Sequence, residues 1–210
     1  PEALRVLKAI SDHMAGITGA QTDRMTRDDG WRLLSIGRHL ERLGFLSNAL
    51  ARAFETGAVH TVGGFEALVS LFDSTITFHA QYQQSRDVAA LIALLVLNRE
   101  NPRSLAWVAQ TLRGRLAKLG GGGQDQLTSL ALRVPDPGAV SLDSLCETFD
   151  PVEPPAAEGG ADENLEPAPG YYFALNEMLI QCTGAAFNVS EEISATYFTH
   201  SGQSNQRLGA

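Results

Sequence analysis

The sequence is poor in cysteine, in lysine and in long apolar runs. Two of its 210 residues are cysteines, Cys146 and Cys182, which is too few for a disulfide scaffold or a zinc site of two Cys-x-x-Cys pairs. A reducing cytoplasm is therefore the expected location. The apolar stretch 88–97 is too short to span a bilayer, and the stretch 171–189 is interrupted by polar residues. These features predict no transmembrane helix and no membrane partner.

Basic residues are in the minority, with 16 Lys+Arg against 24 Asp+Glu and a net charge of −8. This balance argues against binding of nucleic acid through overall charge. The acidity is uneven, because residues 134–210 hold 12 acids and one base whereas residues 1–133 hold 12 acids and 15 bases. Six of the acids lie in 150–170 with five prolines and no base. That composition predicts a flexible acidic loop.

Several familiar catalytic patterns are missing. The sequence has no Glu-x-x-His pair of the carboxylate-bridged di-metal bundles, no Gly-x-Ser-x-Gly elbow, and no Gly-Lys-Ser/Thr after the glycines 120–123. His39 and Glu41 match the first half of a zinc-deaminase motif, but no Pro-Cys-x-x-Cys follows. We therefore expect no metal ion, no cofactor and no familiar route of catalysis.

Helical periodicity dominates the chain and predicts an all-α bundle of about six to seven helices in a single domain, 1–210. The loop 150–170 interrupts this bundle without dividing it, because one long C-terminal helix too apolar to stand alone follows it. In the first helix, Leu4, Leu7, Ile10 and Met14 form a stripe expected to be buried. The predicted helices cover 1–17, about 27–55, 65–84, 88–97, 102–119, 141–149 and 171–201, and a weaker helical pattern covers 124–132.

Residues 25–42 are the most informative segment. Asp28 suits the positive end of the second helix, and the opposite face of that helix carries its apolar residues. At about 100° per residue, the remaining face gathers an aromatic and charged cluster. The members of this cluster are Arg27, Trp31, Arg38, Glu41, Arg42 and Phe45.

Two interpretations of this cluster remain open. In the first, Arg27, Arg38 and Arg42 form a pocket that clamps carboxylates or phosphates, Trp31 stacks on a ligand or an arginine, and Glu41 orients a guanidinium group. In the second, the same arginines form an ion-pair layer. Their partners are then Asp73 from the third helix or Glu191 and Glu192 from the last.

Two further polar stretches have a similar ambiguity. For 73–82, one interpretation is that Asp73, Thr77 and Tyr82 add polar groups to the same cavity. The other is that Tyr82 belongs to the core, with its hydroxyl at the rim. In 98–107, the arginines 99 and 103 lie near a helix start that favours an anion. The alternative is that this polar knot fixes the angle between two helices through capping and a pair between residues 100 and 103.

The order of these residues resembles the signature of a known family. Arg27-Asp28-x-x-Trp31-Arg32 followed by Gly37-Arg38-x-x-Glu41-Arg42 is similar to the motif of the bacterial alpha-E domain, a helical family named for its Glu-Arg pair. The blocks 73–82, 101–107 and 193–200 agree with it in the same order. His39 stands where a second arginine is common. The chain resembles the C-terminal two thirds of that domain, and with Pro1 at its start it is expected to be a fragment.

The resemblance implies a function by association. Alpha-E domains occur fused to, or encoded beside, ATP-grasp and transglutaminase-like proteins, which implies an accessory module of a peptide (amide) ligase that binds a substrate or the partner enzyme. An acidic peptide or amino acid is the implied ligand. The alternatives are an enzyme that uses Glu41 as general acid or base, and a purely structural scaffold. The implied ligand-binding residues are Arg27, Asp28, Trp31, Arg38, Arg42, Asp73 and Tyr82.

Overall fold

A computed structural model describes residues 2–83, 86–121, 127–148 and 171–198, without the side chain of residue 22. Its regular elements in these ranges are all helices, which confirms the all-α class. The predicted loop 150–170 lies outside the described residues. The main helices are α1 Glu2–Arg24, α2 Asp29–Glu55, α3 Val62–Leu71, α4 Thr75–Tyr82, α5 Val88–Ile92, α6 Leu105–Leu119, α7 Ser129–Leu132, α8 Leu142–Cys146 and α9 Phe173–Tyr197.

Helix α2 lies at the centre of the bundle and packs against both α6 and α9. It begins as predicted because the Asp28 carboxylate accepts a hydrogen bond from the Trp31 backbone N–H at 3.0 Å. Its apolar face is fully buried at Leu43 and Leu50. At Gly44 it comes close to α9, where an added Cβ would lie 3.4 Å from the Cβ of Ala186. The predicted long C-terminal helix is thus confirmed as a core element.

Helix α5 is buried, and the chain continues from it as one π-helical turn over Ala93–Leu97. The Asp87 side chain caps α5 by accepting from the Ala89 N–H at 2.9 Å, as the sequence indicates. Leu91 and Leu95 are fully buried. The burial of this apolar segment agrees with the central position in the bundle that the sequence indicates.

The single helix predicted over 65–84 is wrong, because the chain breaks between α3 and α4. Asp73 has a φ of 46°, a left-handed conformation that Asp tolerates better than most residues. The Ser74 N–H donates to the carbonyl of Val69 at 2.9 Å, and its hydroxyl donates to Phe72 at 3.0 Å. The break holds Asp73 on an exposed turn, where its carboxylate pairs with Arg103, just before α6.

Helix α6 begins three residues later than predicted. The Ser104 hydroxyl accepts from the Trp107 N–H at 3.1 Å and is the N-cap, so Pro102 lies in the preceding turn rather than at the first helical position. The predicted end at Leu119 is correct. Helices α7 and α8 are shorter in the described residues than the segments predicted for them.

Helix α1 differs most from expectation. It extends to Arg24 rather than ending near residue 17, and its predicted buried stripe is exposed. Leu4 is 73% exposed and Met14 is 56% exposed. The amphipathic pattern predicts a helix correctly, but burial requires a partner surface, and α1 is not among the helices that pack closely on one another in the described residues.

None of the described helices is both long enough and apolar enough to cross a lipid bilayer. Cys146 and Cys182 are both free. Cys182 is fully buried, and burial raises the pKa of its thiol to about 12, so it has no nucleophilic thiolate at neutral pH.

Candidate functional site

The outer face of α2 forms a shallow, solvent-open hollow of about 640 Å³ around Arg38, Glu41 and Arg42. Leu34 and Phe45 supply its apolar walls. These residues share one face because they are three, four or seven positions apart on the helix. The structure thus brings together three of the charged residues that the sequence places in one cluster.

The two arginines of the hollow make no ion pair with an acid of the described residues. Within the described ranges, no carboxylate oxygen lies within 4.0 Å of the guanidinium of Arg38 or Arg42. Two of the three acids considered as their partners pair elsewhere: Asp73 accepts from Arg103 at 2.7 Å, and Glu192 binds Arg133. Glu191 makes no ion pair with Arg38 or Arg42 within the described ranges. The ion pairs that link distant helices therefore use other arginines.

Arg42 lies in a region where positive charge accumulates. Burial lowers the pKa of its guanidinium, the nearby positive charge of Arg103 lowers it further, and the carboxylate of Asp73 opposes this effect in part. Each of these influences except Asp73 disfavours the charged form. An anion placed in the hollow would offset the repulsion, as in other arginine sites for carboxylates and phosphates.

His39 lies beside the hollow as a neutral imidazole. Its Nδ1 is 2.6 Å from the carbonyl oxygen of Ser35, so Nδ1–H donates to that oxygen. Burial lowers the pKa of His39, and the surrounding cations Arg115, Arg42 and Arg38 lower it further, against the raising effect of the Ser35 hydrogen bond. A neutral ring in this place limits the positive charge that the fold must hold together.

We expect this histidine to make the protein more sensitive to mild acid. Below about pH 6.5, the ordinary pKa of histidine, the unfolded chain takes up a proton that the native ring resists, so stability falls as the pH approaches the lowered native pKa. The His39→Gln variant lacks this proton and should lose less stability between pH 7 and pH 5.

Urea unfolding at pH 7, 6 and 5 measures the effect. His13→Gln, at an exposed position on α1, is the matched control and should follow the unmodified protein. Equal losses for His39→Gln and for the unmodified protein would contradict the assignment.

Trp31 does not face the hollow, although helical spacing puts it on the same side. The guanidinium of Arg27 lies 4.1 Å from the centre of the Trp31 ring and that of Arg115 lies 4.6 Å from it. Trp31 lines a second cleft, formed with α6. The single predicted cluster is thus divided between two places, and Asp28 serves as the N-cap of α2.

The other predicted residues lie further out. Tyr82 packs its ring 5.1 Å from that of Phe78 in the core and lines neither the hollow nor the second cleft. Asp73 lies on its exposed turn, paired to Arg103. Arg115 was not found by sequence reasoning, because its proximity to Trp31 depends on the packing of α6 against α2.

A metal-dependent site has no support in the part of the chain that is described. No group of three or more His, Cys, Asp or Glu side chains in these ranges is arranged to hold a metal ion. Anion binding by guanidinium groups is what this arrangement can do chemically.

Comparison with known protein families shows which family the chain belongs to. A family model described as a predicted alpha-helical domain with a conserved ER motif matches residues 2–198. The chain belongs to the Alpha-E family. Glu-Arg occurs once in the sequence of this Alpha-E domain, at Glu41-Arg42, and both residues line the hollow. The Glu-Arg pair therefore lies in the hollow with the two arginines that make no ion pair in the described ranges.

Three curated relatives share part of this Alpha-E domain. They are uncharacterised proteins of Mycobacterium bovis and of two Mycobacterium tuberculosis strains, each 29% identical over 111 residues. The match covers 51% of this chain and 12% of each relative, so the chain corresponds to a small part of those proteins. No solved structure matches the chain.

Proposed function

We propose that this Alpha-E domain is an accessory module of an ATP-grasp-type peptide ligase and binds an anionic, peptide-like ligand in the hollow of α2. The observation that supports this proposal is the pair Arg38 and Arg42, which lack a carboxylate partner in the described residues. Two adjacent guanidinium groups open to solvent suit a carboxylate-rich ligand.

The other residues of the hollow fit a peptide or an amino acid. Glu41 lies next to Arg42 and supplies a negative charge for the ammonium group of such a ligand. Phe45 and Leu34 offer apolar contact for its aliphatic carbons. The hollow is a local feature of one helix face, and the net charge of −8 argues against a nucleic acid in it.

The ligase setting rests on the family resemblance. An ATP-grasp enzyme activates a carboxylate as an acylphosphate, and this module would present the acyl acceptor or hold the partner enzyme. The mycobacterial relatives leave room for such an arrangement, because 88% of each lies outside the matched region. We place the system in the cytoplasm, in keeping with the free Cys146 and Cys182.

Binding of tetraglutamate by isothermal titration calorimetry tests the ligand class. We expect the double variant Arg38→Gln/Arg42→Gln to raise the dissociation constant by about 10-fold or more, because two charge-assisted hydrogen bonds are lost. Arg52→Gln is the matched control, since Arg52 is an exposed arginine of the same helix paired to Glu55 at 2.8 Å. It should bind like the unmodified protein.

Amide formation by the ATP-grasp partner separates a binding module from an enzyme. With the double variant we expect a higher KM for the acidic acceptor at unchanged kcat. Glu41→Gln should likewise leave kcat unchanged. A fall in kcat at unchanged KM for Glu41→Gln would favour the enzyme alternative, and no effect of any variant would favour a scaffold.

A further inference from the structure

A second basic cleft lies between the first turns of α2 and the C-terminal half of α6. Its volume is about 670 Å³, and the segment around Asp136 closes one side of it. It shares no lining residue with the hollow of α2. The cations that line it are Arg32, Arg99, Arg113, Arg115 and Lys118.

The carboxylates near this cleft neutralise only part of its charge. The Arg99 Nη2 donates to both oxygens of Asp136, at 2.9 and 3.0 Å, and Arg113 lies 3.3 Å from the same carboxylate. Arg32 pairs with Asp29 at 2.6 Å. Among the described residues, five cations face these two carboxylates, which is a surplus of three positive charges.

Two of these cations lack an acidic partner among the described residues. Neither Arg115 nor Lys118 lies within 4.0 Å of a carboxylate in the ranges that are described. The Arg115 Nε is buried without a hydrogen-bond partner, which is costly for a charged donor. Burial, followed by the positive charge of Arg27, lowers the pKa of Arg115. Arg115 lines the cleft, so an anion bound there would offset the positive charge of this guanidinium and of its neighbours.

Arg99, on the side of the cleft formed with Asp136, is held in place. An added Cβ on Gly138 would lie 2.7 Å from the Nε of Arg99, so the guanidinium stem packs directly on this glycine. Together with the two hydrogen bonds to Asp136, this contact fixes the direction of Arg99. Arg99 is therefore held in place without a ligand, which reduces the entropy cost of binding to this arginine.

We propose that this cleft binds a pyrophosphate group, either free or as part of a nucleotide. A phosphoryl group carries about −1.5 to −2 charges near neutral pH, so two linked phosphoryl groups match the surplus of three positive charges. A single carboxylate would leave most of that positive charge unbalanced. Planar guanidinium groups bind phosphoryl oxygens in pairs, and Lys118 adds a point charge at the edge. This site is separate from the proposed peptide site.

Titration calorimetry with inorganic pyrophosphate is the test. The unmodified protein should bind it, and Arg115→Gln/Lys118→Gln should raise the dissociation constant about 10-fold or more, because both unpaired cations are removed. Arg5→Gln/Lys8→Gln is the matched control, since it removes the same two residue types from the exposed helix α1. Arg38→Gln/Arg42→Gln should also leave pyrophosphate binding unchanged.

Two further probes define the ligand. ADP that binds more tightly than pyrophosphate identifies a nucleotide, and equal affinities identify free pyrophosphate; both results support the site. Citrate of similar charge should bind more weakly, and equal binding of citrate would overturn the preference for phosphoryl groups.

The proposal also fails if pyrophosphate does not bind, or if its affinity is the same in all variants. Lys118→Gln alone, at an exposed position, should also weaken pyrophosphate binding. If the double variant unfolds, this single variant tests the proposal. Because tetraglutamate binding depends on other arginines, either proposed site can fail while the other stands.

Discussion

Replacing Gly64 with alanine is expected to destabilise the protein by about 3 kcal/mol, at the upper end of the usual cost of overpacking. A Cβ at this position would lie 2.1 Å from the carbonyl oxygen of Ala58, which is backbone and cannot rotate away. The Gly64 N–H also donates to the Thr61 hydroxyl at 3.1 Å, so movement of the glycine would weaken the cap of α3.

The neighbouring glycine provides the control. A Cβ on Gly63 would meet nothing within 4 Å, so Gly63→Ala should stabilise the protein by about 0.5–1 kcal/mol, the helix preference of alanine over glycine. Urea unfolding of both variants gives the comparison. Equal free energies of unfolding for the two would show that Ala58 and Gly64 do not approach each other as described.

Leu43→Ala is expected to cost about 3 kcal/mol, within the range for leucine truncation in a packed core. Leu43 is fully buried on α2, the helix that packs against both α6 and α9. The truncation would leave a cavity where the bundle has least freedom to collapse. Thermal and urea unfolding measure the loss.

Phe45 is the matched control on the same helix. It is larger than leucine but 59% exposed, so Phe45→Ala should change stability by about 0.5 kcal/mol or less. A larger loss of stability for Phe45→Ala than for Leu43→Ala would show that the face of α2 with Phe45 lies in the core. The hollow on that face would then not be open to solvent.

Local sequence signals predicted the elements that proved correct. Asp28 and Asp87 mark helix starts because a side-chain cap satisfies backbone groups within a few residues. The apolar residues of α5 are too continuous for an exposed helix, so their burial follows from composition. Each of these signals operates within one turn or one helix.

The elements predicted wrongly depend on contacts between distant segments. The break at Asp73 follows no glycine or proline, and it brings the carboxylate to Arg103, which is 30 residues away. The stripe of α1 is a correct helical pattern, but no pattern within α1 shows whether another helix covers it. Periodicity predicts which residues share a face and not what that face meets.

The candidate site likewise has some features that follow from local sequence and others that depend on contacts between distant segments. Periodicity along the chain was enough to predict helices and to place Arg38, Glu41 and Arg42 on one face, because helical spacing is a local property. The position of Trp31 in a different cleft, beside Arg115, could not be predicted in this way. That position depends on how α6 packs on α2, a contact between residues far apart in sequence.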